Sequence, residues 1–247
     1  MKTMELINGK SDLAVEWVAQ MSYTELLDYA KHKAESVDLG EYTAPTFDLL
    51  EHLRVHDEEV ALGGLRTLPI ALDIADSTEQ ITHQPIDRRW QFVTALLHDV
   101  GKITLSTKLL QKSAKGEEWT AQDMAETKPH AERGGKILKF RGFPEVVYSA
   151  VAGHHSRQIG GNEYGLTIAV NDEARPYRDC TALADFIEAS ENRNNSRNRN
   201  LTLQQRREIE AQDIKYVYDD YEQGCEIANC VIARSLGMVT LQSSKVA

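Results

Sequence analysis

Apolar residues recur along the chain at three- and four-residue intervals, and no stretch of any length alternates apolar with polar positions. The pattern predicts helices and an all-α fold. Residues 11–35 read as one or two helices, with Ser22-Tyr23-Thr24-Glu25 forming a capping box. A break at 40–45 precedes a helix over 46–62 that carries Phe47, Leu50, Leu53, Val55 and Val60. Gly63-Gly64 predicts a break or kink, Pro69 disturbs the helical residues 65–75, and 76–87 reads as a polar connection. Asp87 is placed to cap a helix ending in Ala95-Leu96-Leu97-His98-Asp99-Val100-Gly101-Lys102, where Gly101 predicts a left-handed C-cap.

The remainder follows the same pattern. A polar loop to about residue 116 leads to a helix opened by Thr120, then to a segment starting near Pro129-His130. Pro144, at a first helical position, introduces a helix over 145–155 with Val146, Val147, Ala150 and Val151 as its core face. A glycine-bearing loop at 160–165 follows, then a short apolar stretch, 167–170, with no evident partner strand. Residues 181–191 predict a helix in which a single acid, Asp185, stands among apolar residues. Residues 192–200 form a polar, arginine-rich loop, Thr202 opens a helix of weak apolar character, and 214–236 form a last helix.

Composition adds constraints. The chain has 247 residues, 41% hydrophobic and 27% charged, as expected of one large globular domain or of a domain with a small appendage. A net charge of −10 counts against non-specific binding to nucleic acid or to an anionic membrane. Cys180, Cys225 and Cys230 form no CxxC pair and no even set, and read as reduced thiols of a cytoplasmic protein. No run of about 18 apolar residues occurs.

The candidate chemistry lies in the histidines. An isolated His-Asp pair at a helix end more often reads as a capped ring beside a solvated acid. Here, however, six of the eight histidines fall on helices or at their ends: His52, His56, His98, His130, His154 and His155. His32 and His83 lie in polar surroundings and read as surface residues. Neutral imidazoles with Asp99 and Asp185 make a donor set for two or three metal ions. Imidazole with bridging carboxylate favours iron or manganese, with zinc the alternative from ligand type.

The stretch His98-Asp99-Val100-Gly101-Lys102 resembles the signature of the HD phosphohydrolase superfamily, and the run from His52 to Arg197 resembles its HD-GYP branch of cyclic dinucleotide phosphodiesterases. Lys128-Pro129-His130 with Gly134, Ile137 and Leu138, then Gly153-His154-His155, then Ala184-Asp185-Phe186 match that family's order. Three departures are visible: Ser156 where a glutamate is usual, a loop at 160–165 lacking the family's aspartate and proline, and His52 where a glutamate sometimes stands. The resemblance implies an HD-domain helical bundle over 46–247 with an N-terminal helical extension or lid over 1–45. It implies two divalent ions bridged by Asp99, one also held by His56, His98 and Asp185, the other by His130, His154 and His155. His52 is expected to orient a ligand rather than to bind an ion. Asp99 and Lys102 would be catalytic, and Lys102, Arg193 and Arg197 would hold the substrate, a small cyclic dinucleotide cut by water activated between the ions. No nucleic-acid or membrane partner is expected, and a homo-oligomer is compatible with the reading.

Three rival functions use the same residues: a di-iron HD-domain oxygenase, a cyclic-dinucleotide sensor without catalysis, and a relaxase-related nucleic-acid protein. Lys102 and the paired His154-His155 favour the hydrolase over the oxygenase, and the acidic balance disfavours the relaxase.

Overall fold

The structure is a computed structural model that describes residues 18, 20–115, 117–156 and 170–192. The readings at 11–17, 160–165, 167–169 and beyond 192, with Arg193, Arg197, Cys225 and Cys230, lie outside the described residues. Within them the fold is helical and contains no strand. The elements are α1 (Tyr23–Ser36), a 3-10 turn (Gly40–Tyr42), α2 (Thr43–His56), α3 (Glu58–Thr82), α4 (Arg88–Leu97), a second 3-10 segment (Val100–Thr104), α5 (Thr107–Lys115), α6 (Ala121–Thr127), α7 (His130–Phe140), α8 (Glu145–Gly153) and α9 (Arg175–Asn192).

The centre of the bundle is α3. Its residues from Ala61 to Ala75 are buried except Arg66 and Asp73, so it is apolar around most of its circumference, as a helix packed on several sides must be. It packs against α1, α2, α4 and α9. The expected break at Gly63-Gly64 does not occur. Gly64 lies on the backbone of α4, where an added Cβ would meet the Leu96 carbonyl oxygen at 2.4 Å, so Gly64 permits close helix contact. Pro69 is accommodated inside the same helix, which continues through the predicted polar connection to Thr82 and ends at His83 in the left-handed region, φ 56°. The real break comes earlier, at Asp57. Its extended backbone, φ −159° and ψ 112°, splits the expected 46–62 helix, and its carboxylate accepts from the Val60 N–H as an N-cap.

Other boundaries shift for local reasons. The Ser22–Glu25 capping box and the Asp87 cap form as their sequences predict. Thr120 caps α6 with Asp123. Pro144 takes the N-cap position rather than the first helical one. Residues 107–115, expected in a loop, are helical, and α9 begins at Arg175 rather than at 181. Gly101 is not a left-handed cap: α4 stops at Leu97 and Gly101 sits inside the following 3-10 segment.

The pair α7 and α8 forms a helical hairpin against α4, the 3-10 segment and α9. Two adjacent glycines set its spacing. A Cβ on Gly135 would stand 2.7 Å from both the Ala152 side chain and the Tyr148 carbonyl oxygen, and one on Gly134 would stand 3.2 Å from Gly101 N. These contacts bring the start of α7 and the end of α8 beside the end of α4. The polar links to α9 are buried: Gln91 Nε2 donates to Thr181 Oγ1 at 3.0 Å, and Thr78 Oγ1 lies 3.7 Å from Cys180 Sγ.

Candidate metal centre

His98, His130 and His154 share one local device. The Nδ1–H of His98 donates to the Ala95 carbonyl at 2.9 Å, that of His130 to Thr127 at 2.8 Å and that of His154 to Val151 at 2.7 Å. Each acceptor lies three residues back in the last turn of a helix, where carbonyls lack intrahelical partners. Because a carbonyl can only accept, the proton is fixed on Nδ1. In the neutral ring Nε2 is therefore the nitrogen with a lone pair, directed into the space the three helix ends enclose.

Asp99 stands in the middle of that space, in the bridge region of backbone conformation at φ −94° and ψ 9°. Its Oδ1 is 3.1 Å from His130 Nε2 and 4.0 Å from His154 Nε2, and its Oδ2 is 3.4 Å from His98 Nε2. Asp185 Oδ1, from α9, is 3.4 Å from His98 Nε2 on the other side. His155 Nε2 lies 3.2 Å from His130 Nε2. Two donor groups result, Asp99 with His130, His154 and His155, and His98 with His154 and Asp185, each with ligand atoms within 4.8 Å of one another. Donors bound at about 2.1 Å to one ion stand roughly 3–4 Å apart, so these separations suit coordination.

The polar chemistry supports the same conclusion. His98 Nε2, Asp99 Oδ1 and His154 Nε2, members of the two donor groups, are buried and lack a well-formed hydrogen bond. Buried polar atoms are rarely left so without a reason, and an ion would supply the missing partner. Burial disfavours a charged His98, but the Asp99 and Asp185 carboxylates outweigh it and raise its pKa to about 10. Burial, reinforced by His98 and His130, lowers His154 to about 3, and burial with His154 and His130 holds His155 well below its usual value. Both rings are neutral at neutral pH, as metal ligands must be. Asp99 stays ionised well below the usual carboxylate range: its burial opposes this, and Lys102 and His98 overcome the penalty.

Of the residues singled out in the sequence, His98, Asp99, His130, His154, His155 and Asp185 are brought together, with Lys102 Nζ 2.5 Å from Asp99 Oδ2. His56 is not. It ends α2, and its Nε2 donates to the Leu105 carbonyl at 2.9 Å, tying α2 to the exit of the 3-10 segment. His52 is exposed, its Nδ1 donating to the Asp48 carbonyl at 2.7 Å, so it orients no ligand. His52 and His56 stand four residues apart on α2, and both rings bond to carbonyls away from the cluster.

Two ion pairs on α9, one buried and one half-buried, have no counterpart among the expected site residues. Arg178 Nη1 donates to the Ser156 carbonyl at 2.6 Å, just past the paired histidines, and its Nε lies 2.6 Å from Asp179 Oδ1. Arg66 Nη1 is 3.9 Å from Glu188 Oε1. Arg178, Asp185 and Glu188 fall at seven- and three-residue steps, one stripe of α9. That spacing was the available signal.

No curated protein and no solved structure matches the chain significantly. A family model described as the HD domain matches residues 65–215, more than half the chain, beginning after His52 and His56 and taking in all six clustered residues. On that match the chain belongs to the HD-domain family.

Proposed function

We propose that this protein is a metal-dependent phosphodiesterase of the HD-GYP type that hydrolyses a cyclic dinucleotide. The observation that carries the reading is Asp99, a buried carboxylate with one oxygen toward each of two donor groups. HD-domain membership and the His/Asp cluster support metal-dependent phosphohydrolase chemistry; the substrate and the branch rest on the motif order and on Lys102. Bound divalent ions, iron or manganese by donor type, would acidify an attacking water and offset charge on the phosphate oxygens.

The chain's own residues do the rest. Asp99 would join the two halves of the centre, with His98 and Asp185 on one side and His130, His154 and His155 on the other. His98, Asp99, His130 and His154 are buried, whereas Lys102, His155 and Asp185 keep partial exposure, so substrate reaches the cluster past those three. Lys102 would meet a phosphate oxygen as a point charge. Arg193 and Arg197 would hold the rest of the nucleotide, and residues 1–45 would form an extension or lid on a domain spanning 46–247. We place the protein in the cytoplasm; among the described residues no helix is long and apolar enough to cross a membrane.

The test is a panel assay of protein purified without chelator against cyclic di-GMP, cyclic GMP-AMP, cyclic di-AMP and an aryl phosphodiester, with elemental analysis alongside. Hydrolysis of a cyclic dinucleotide by protein carrying transition metal is expected, with two ions in the complete centre and with activity and most of the metal lost in Asp99→Ala. Oxygen consumption with no ester cleaved would overturn the reading in favour of the oxygenase.

A further inference from the structure

The two oxygens of Asp99 keep different company. Oδ1 faces the imidazoles of His130 and His154 and has no well-formed hydrogen bond. Oδ2, on the His98 side, already holds a cation: Lys102 Nζ lies 2.5 Å away, with the lysine side chain 16% and the aspartate 6% exposed. The two halves also differ in donors. The Oδ1 half draws on three imidazoles, whereas the other has His98 and Asp185, with His154 in reach of both, and His56 is committed to the Leu105 carbonyl. An ion using Oδ2 must displace the ammonium or sit beside a like charge, which is costly in a buried site.

A phosphate is the natural competitor for that ammonium, because it offers several anionic oxygens to one compact donor. We propose that Lys102 gates the second ion: without an anion it occupies Asp99 Oδ2 and keeps the His98/Asp185 half weak, and a phosphate draws it away, freeing Oδ2 to bridge. Phosphate and the second ion therefore bind cooperatively, each strengthening the other by the same factor. The proposal rests on the reading of this cluster as a metal centre and adds to it an order of assembly, with the complete centre forming on the substrate.

The experiment is a Mn2+ titration of the chelator-stripped full chain, following free Mn2+ by electron paramagnetic resonance, with and without inorganic phosphate and with phosphate-only blanks subtracted. The wild type should bind one ion tightly and a second at least about tenfold more weakly, and phosphate should tighten the second by about tenfold, within the usual range of such couplings. Lys102→Met should tighten the second ion without phosphate and abolish the phosphate effect; Lys102→Arg, which keeps the charge, should retain both. Circular dichroism checks the fold, and Lys102→Gln replaces the methionine variant if that one does not fold. Two equal sites in the wild type, or a second site unchanged in the neutral variants, overturns the gate alone. Failure of the wild type to bind any ion overturns the metal-centre reading as well.

Discussion

Gly101 lies against the backbone of His130: a Cβ at position 101 would stand 1.9 Å from the His130 carbonyl oxygen and 2.6 Å from Gly134 N. No side chain can move aside there, so α7 itself must shift, and His130 shifts with it relative to Asp99. Gly101→Ala is therefore expected to cost about 3 kcal/mol, the upper end of the usual overpacking range, and to weaken metal binding, as read by urea unfolding and metal titration. Gly142→Ala is the control. Its φ is +81° but nothing lies within 4 Å of an added Cβ, so about 1 kcal/mol of backbone strain is expected with metal binding unchanged.

Arg178 joins α9 to the segment behind the paired histidines, through the Ser156 carbonyl and Asp179. Arg178→Met deprives a buried carboxylate and a carbonyl of a partner at once. A loss of about 3–5 kcal/mol follows. Because Ser156 follows His155 directly, the folded variant should also bind metal less tightly, whereas R178M/D179L should recover much of the stability. Equilibrium unfolding of the metal-free proteins separates the two effects.

An acid-dependent contribution is expected from Asp123. The hydrogen bond from Lys112, then those from the Thr120 backbone and hydroxyl, lower its pKa to about 2 from an ordinary 3.8. A carboxylate lowered in the folded state stabilises above its unfolded pKa, and that contribution is lost as pH falls through the folded value. The stability difference between wild type and Asp123→Asn should be full at pH 5, shrink below about pH 4 and close near pH 2. A difference that persists unchanged to pH 2 would remove the carboxylate from the cause.

Cys180 is buried, and burial raises its thiol to about 12. With Cys225 and Cys230 replaced by serine, the native protein should resist a maleimide at neutral pH and react once unfolded. Rapid native labelling would show that α9 opens readily at that point.

The sequence made the fold class and most of the cluster legible because both depend on local rules. Helical periodicity survives tertiary packing, and the His98-Asp99 end, His130 and His154-His155 all sit where a helix starts or stops. What escaped depends on neighbours. Gly63-Gly64 and Pro69 read as breakers because propensity counts entropy, and only the packed α3 reveals that Gly64 lets it lie on Leu96. His56 lies apart from the cluster because its ring bonds to the Leu105 carbonyl, a partner 49 residues away that no local spacing reveals. Arg178 was missed because a charged side chain reads as surface until its buried acceptors are known.

The carbonyls that clamp the three imidazoles have a further consequence. They lie in the closing turns of α4, α6 and α8, and closing turns fray first. Ligand orientation thus depends on three hydrogen-bonded turns, each at a helix end where the intrahelical ladder stops. An ion drawn to the Nε2 atoms would hold those turns shut from outside, so amide hydrogen exchange near residues 95–98, 127–130 and 151–154 should slow together on metal loading. Three helix ends distant in sequence would then behave as one cooperative unit of local unfolding.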